Sequence, residues 1–526
     1  MRKLSALLVG LCTVASCSRP IRPPVNTVAP GPIAPPQTRM AAATELVHAG
    51  CLDCLIEALH QYQALRRVPA VAVEATAGAA RTAALVAIRE RELGLEDSGA
   101  LGQARLLAAS SPELSASLSL LFEVGDTLAG RGAGSQVTND AQILAAGPAF
   151  RNRTAWTESL RVRAEENELT AYLWVAFNCT YNSPTNEVAE TLDNVLPSWR
   201  DTALIRFRIA TCTAPRNPAL KELLDGNSRF LEITYYMGLQ AVIQGDLDEA
   251  DAQFERAYSW RPRWARVANT LGTVFMTAED FERAAGSYDR ALEVVPDYAE
   301  ALLGKVRALT FAGRYRDALT ATDALLALEH WYIGDARYWR AMNEVQLAQN
   351  DAAWDDVELA ARLITNAEVP KLAGIIAVRR QQLPVARAKF EEALQRDGSD
   401  CEVPFYLGTV LVEQREWARS ADTFITAAGC FDRSQGAIEM QIERIRASAA
   451  PEERRARQIA RREQQLAAQA RMRATSWFNT AAASFNLARY MEAKQYATRV
   501  IDDPQFGDRA RDLLSRLPAQ RQAPSP

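Results

Sequence analysis

From residue 231 onward, apolar and small residues return every three to four places, the rhythm of helices with one buried face. A longer beat runs beneath it. Ala250 is followed at 34-residue intervals by Ala284, Ala318, Ala352, Ala386 and Ser420. Phe254 is followed by Tyr288, Thr322, Asp356, Phe390 and Phe424, and Gly238 by Gly272, Val306, Arg340, Gly374 and Gly408. The fourth unit fits one residue later, where Ala341, Ala353, Val357 and Ala360 restore the columns. A fixed period of this length predicts stacked helix pairs rather than one compact core.

Packing explains the columns. A glycine or alanine in the first helix lets the second approach closely. An alanine four residues before an aromatic shares its face of the second helix. Pro262 and Pro296 end two second helices, because proline lacks the amide hydrogen and clashes with the preceding turn. Where Thr322 and Asp356 replace the aromatic, the expectation is looser packing.

These columns resemble the tetratricopeptide repeat. They are fullest in "YYMGLQAVIQGDLDEADAQFERAYSWRP", "ANTLGTVFMTAEDFERAAGSYDRALEVVP" and "FYLGTVLVEQREWARSADTFITAAG". A seventh unit is expected in "SWFNTAAASFNLARYMEAKQYATRVIDDP", and "GDRARDLLSRL" reads as the polar-faced helix that caps a solenoid. The fold class is therefore all-α, an α-solenoid of antiparallel helix hairpins with a divergent helical N-terminal domain. The resemblance also implies a concave face, lined by first helices, that holds a peptide or a partner's helix. Its inward column here is Tyr235, Asn269, Leu303, Tyr338, Lys371 and Phe405, with Arg307 and Arg266 nearby.

The chain of 526 residues divides accordingly. The expected segments are a leader over 1–16, a proline-rich tether over 17–40 and the divergent domain over 41–225. Six repeats follow over 226–434, then a charged helix, the seventh unit and the cap over 435–520, with a short tail to 526. The leader pairs "MRK" with the apolar run "LSALLVGLCTVA" and ends at "VASC". That ending resembles the bacterial lipoprotein box, which implies that Cys17 becomes the first mature residue and carries acyl chains. Ser18 after it implies the outer membrane, facing the periplasm. The prolines of "SRPIRPPVNTVAPGPIAPPQ" favour an extended tether, about 60 Å long at ~3.1 Å per residue. No later stretch reads as apolar enough to cross a membrane.

Charge and chemistry narrow the function. Sixty basic residues against 64 acidic leave a net charge of −4, which argues against nucleic acid as partner. No phosphate-binding glycine loop, nucleophile elbow or HExxH occurs, so no catalytic residue is nominated, no cofactor is implied and the chain reads as a non-enzyme. His330 reads as a turn or packing residue. His48, Cys51, Cys54 and His60 lie close enough in sequence to grip zinc, although an oxidising compartment favours a Cys51–Cys54 disulfide. Cys401 with Cys430, and Cys179 with Cys212, are the other expected pairs. The segment 439–473 carries nine arginines and five glutamates. It reads first as a solvated helix extending the seventh unit, and alternatively as a basic arm for anionic lipid or an acidic partner. The leading expectation is a lipid-anchored periplasmic scaffold for protein contacts in envelope assembly or secretion. The alternative is a solute-handling accessory of a periplasmic transport system. The sequence specifies no oligomeric state.

Overall fold

The computed structural model describes residues 34–109, 158, 160–181, 196, 198–212, 218–329 and 331–518. The leader, Cys17, His330, the far C-terminal tail and the side chains of Cys179 and Cys212 lie outside what is described. Among the described residues every regular element is helical.

Six helix hairpins follow one another. Their helices run Ile233–Gln244 with Leu247–Trp260, Ala265–Thr277 with Phe281–Val294, and Ala299–Phe311 with Tyr315–Leu326. Then come Ile333–Gln346 with Asn350–Ala361, Glu368–Arg379 with Leu383–Arg396, and Glu402–Glu413 with Trp417–Arg446. These are units one to six of an α-solenoid. The column residues decide the packing. A Cβ added to Gly374 would lie 2.6 Å from the Phe390 ring of its own unit. Tyr288 is held harder still, between Gly272 of its own unit and Gly304 of the next, where added Cβ atoms would lie 2.6 and 2.4 Å from the ring. The aromatic therefore both locks its own hairpin and seats the following one.

The two units without an aromatic are filled differently from the loose packing expected of them. Thr322 turns its hydroxyl back onto the Ala318 carbonyl at 2.7 Å. Asn343 and Thr310 exchange buried hydrogen bonds of 2.9 and 3.1 Å between units three and four. Asp356 is buried and met by Arg337 at 2.5 Å and Arg340 at 3.1 Å. Glu344 lies against the same group, 3.4 Å from Arg340. Burial first, and then the charge of Asp356, pushes the Glu344 carboxyl from 4.5 up to about 7. A carboxyl protonated more readily in the folded state supports folding below its unfolded pKa. That support is lost as pH rises through about 7. Glu344→Gln should therefore melt above the parent at pH 8 and converge with it near pH 4.5, in thermal melts followed by circular dichroism. A difference independent of pH would contradict this reading.

The ends of the array depart from the simple period. The helix Trp417–Arg446 runs past residue 434, where the sixth repeat was expected to end, and Glu452–Asn486 returns antiparallel to it. Pro451 and the first-turn acids Glu452 and Glu453 start this second helix. Its last part is the first helix of unit seven, completed by Tyr490–Thr498. The helix Gly507–Ser515 covers the end, burying Ala510 and Leu513 beside Phe506 and Trp477.

At the other end, Pro36–Ala49 and Leu52–Leu65 form the divergent hairpin, followed by Ala72–Leu93 and Ala100–Ala108. The tether expected through residue 40 thus gives way to helix at Pro36, where proline is tolerated because a first-turn amide has no helical partner anyway. The 25-residue segment Pro69–Leu93 contains an 18-residue window of mean hydropathy 1.4, which corrects the expectation that nothing after the leader is apolar enough to span a membrane. Two-thirds of its apolar window (67%) is buried inside the protein, which makes it a core helix. Further helices at Glu168–Tyr181, Ala203–Cys212 and Ala219–Gly226 lead into unit one. A buried polar network ties the two halves together. Arg89 meets Glu232 at 3.0 Å, Glu232 accepts the Leu52 amide at 2.6 Å, and Arg89 lies 4.0 Å over the Phe207 ring. Trp264 of unit two donates to the Leu93 carbonyl at 2.6 Å.

Cys51 joins Cys54, and Cys401 joins Cys430, as disulfides. With its thiols bonded, the His48–His60 cluster offers no thiolate ligand. His48 packs edge-on against Trp199 at 5.5 Å, and His60 is exposed.

Candidate functional site

The first helices of units one to three face a cavity of about 1100 Å³. They do so because the small and aromatic columns bury the opposite side of each helix between neighbours. What remains toward the cavity is one face of each first helix. Unit two contributes Arg266, Asn269, Thr270 and Thr273, and unit three contributes Leu303 and Arg307. Tyr288 and Tyr298 add rings, and Thr273 shares a hydrogen bond of 3.4 Å with the Tyr288 hydroxyl.

The polar groups are set out unevenly. Arg266 is anchored, donating to the Glu92 carbonyl at 2.6 Å. Arg307 is exposed at the wall, 5.8 Å from the Trp339 ring. The Oδ1 atom of Asn269 is enclosed. Burial pushes Tyr298 up to about 12, so near neutral pH it keeps its proton and can donate. Tyr298 shares a side-chain hydrogen bond with Asn269, and the cavity offers this polar pair, the Arg307 cation and apolar wall from Leu303.

The long hairpin of residues 417–486 reaches the cavity through one residue, Arg461. Arg461 lines the cavity with its guanidinium 4.4 Å over Phe281 and 5.8 Å from Phe311, two rings stacked at 5.2 Å. Beside it Arg454 meets Asp248 at 2.6 Å, Arg457 meets Asp280 at 3.1 Å and Arg462 meets Glu279 at 2.6 Å. The arginine-rich segment is thus neither simply solvated nor free for an outside partner. It is engaged with acids of the chain's own units one and two.

Five of the residues expected on the inward face come together here: Tyr235, Arg266, Asn269, Leu303 and Arg307. Tyr235 needs correction as an exposed anchor. It is 7% exposed and packs on Phe254 at 5.8 Å and Trp264 at 5.1 Å, so it is largely core. Tyr338, Lys371 and Phe405 do not border the cavity. Lys371 is taken by Asp400 at 2.6 Å and Glu402 at 2.9 Å, while Phe405 packs edge-on against Tyr406 and Phe424. Sequence reasoning missed Tyr298, Phe311 and Arg461. The first two flank the repeat columns at helix ends, and Arg461 arrives from a remote hairpin. Only the clustering of arginines hinted at it.

A family model described as tetratricopeptide repeat matches residues 275–345, from the end of the first helix of unit two into the first helix of unit four. The chain carries tetratricopeptide repeats. Repeats of this kind serve as scaffolds for protein contacts and are generally not catalysts. No curated protein matches the tetratricopeptide-repeat chain. Among solved structures it is similar to a tetratricopeptide repeat protein from Parabacteroides merdae, at 15% identity over 54% of this chain and 97% of that one, with a TM-score of 0.35. It is also similar to YrrB, titled a TPR protein with an unusual peptide-binding site, at 19% identity over 34% and 91% with a TM-score of 0.30. The APC/C hetero-tetramer Cut9–Hcn1 matches at 11% identity over 91% and 95%, with a TM-score of 0.40.

Proposed function

We propose that this tetratricopeptide-repeat protein is a lipid-anchored scaffold of the bacterial envelope that holds an extended segment of a partner protein in the cavity of units one to three. The observation that carries the reading is the cavity itself, walled by side chains from the first helices of successive units, among them Asn269, Leu303 and Arg307. Arg307 and the Tyr298 hydroxyl suit the segment's carbonyls or carboxylates, and Leu303 an apolar side chain. The lipoprotein-like "VASC" supports anchoring through Cys17 at the outer membrane, facing the periplasm.

Two comparisons test this. Cys17→Ser should move the protein from the membrane to the soluble periplasmic fraction, and retention with the membrane contradicts the anchor. Asn269→Ala with Leu303→Glu should weaken capture of the co-purifying protein by about 1–3 kcal/mol per position. Unchanged capture contradicts binding in the cavity. A small molecule in native mass spectra, with no protein partner, would favour the accessory of a transport system.

A further inference from the structure

The long hairpin of residues 417–486 has two different halves. Near its base it is built into the core, with Phe431 and Ala428 buried on one helix and Ala474 and Trp477 on the other. Toward its tip the buried residues thin to Ile438 and Ile442 on the outgoing helix. On the returning helix none is buried before Ala474. The tip nevertheless reaches back to units one and two.

What holds it there is charge. Four arginines, 454, 457, 461 and 462, meet three acids, Asp248, Glu279 and Asp280. The acids sit where units one and two turn from first helix to second. Asp280 also caps the second helix of unit two, accepting the Arg283 amide. Glu279 sits in the left-handed turn between the two helices, at φ 58°, and its carboxylate meets Arg461 at 3.8 Å and Arg462 at 2.6 Å. The arginines lie on successive turns of one helix, so they engage or leave together. Arg461 completes the contact by covering Phe281 and Phe311 at the cavity edge.

We propose that this hairpin is a latch. Its arginine-bearing tip covers one edge of the cavity, through Arg461, in the free protein and is released by ions, or by an acidic partner segment that competes for the same arginines. The inference deepens the binding role proposed for the cavity and rests on it for biological meaning, but its physical content stands apart. Contacts that are ionic, part-exposed and poor in buried apolar area belong to the low-stability end of a structure. They also weaken as the Debye length falls from ~10 Å at 0.1 M salt to ~3 Å at 1 M.

The test needs no partner. Asn269→Cys places a thiol at the cavity wall of the full-length oxidised protein, and its alkylation by a bulky maleimide is followed by peptide mass spectrometry. In a latched protein that rate tracks the open fraction. Reversing the four arginines to glutamate should speed it about tenfold or more at low salt, and high salt should do the same to the parent. Reversing Asp248, Glu279 and Asp280 to lysine in the arginine-reversed background should slow it again, which a fold damaged by the changes would not do. Equal rates in parent and arginine-reversed protein overturn the latch. So does a rate that falls with protein concentration, because it means the tip closes a second copy. Failure to find a protein partner would sink the scaffold reading and leave this result standing.

Discussion

Replacing Arg89 with Met should destabilise the protein by about 3–5 kcal/mol, among the largest effects of any single exchange, because it strands a buried carboxylate. Arg89 and Glu232 are both 0% exposed at the side chain and 3.0 Å apart. Burial opposes the arginine's charge, but Tyr172, Glu232 and Glu92 more than offset it and hold its pKa above the ordinary value. For Glu232 burial is the larger effect, and it pushes the carboxyl up against the pull of Arg89. Without the guanidinium, Glu232 must take a proton or lie ionised with only backbone amides, its own and that of Leu52, beside it. Adding Glu232→Gln to Arg89→Met should therefore recover about 1–2 kcal/mol, since a neutral amide costs less to bury than a charge. Urea unfolding of the two variants measures both numbers. A loss below about 1 kcal/mol in the single variant would mean the network does not join the two halves.

Phe390→Ala should cost about 3–5 kcal/mol, the usual toll for emptying a fully buried aromatic site. The informative companion is Gly374→Ala. Alone it should cost about 1–3 kcal/mol, because its new Cβ would fall 2.6 Å from a Phe390 ring that neighbours hold in place. In the Phe390→Ala background the methyl enters vacated space, and its cost should vanish or reverse. The coupling between the two positions is the measurement. Additive losses would show that ring and glycine are not packed as the columns require.

How far the sequence disclosed this structure depends on the distance between interacting residues. Gly374 and Phe390 were legible together because the same spacing recurs in other units, and repetition turns a weak pattern into a strong one. Asn269, Leu303 and Arg307 were legible for the same reason, since one column marks one face of each first helix. Arg89 with Glu232 was not, because the partners are 143 positions apart and neither lies in a repeated column. The latch was hidden likewise. Arg454 and Asp248 are 206 positions apart, and an arginine cluster alone does not say which acids it meets. The column also overreached. It treated Tyr338, Lys371 and Phe405 as equivalent to Leu303, whereas neighbouring acids and rings occupy the latter two and none of the three borders the cavity.

A photo-crosslinking amino acid placed at position 303, and in a parallel strain at outward-facing position 359, tests the central claim in intact cells. Leu303 lines the cavity, while Leu359 is 37% exposed on a second helix. If the cavity holds a partner segment, irradiation should join position 303 to another protein and leave position 359 without that adduct. An adduct at 359 but not at 303, or none at either, would contradict a binding scaffold that works through this cavity.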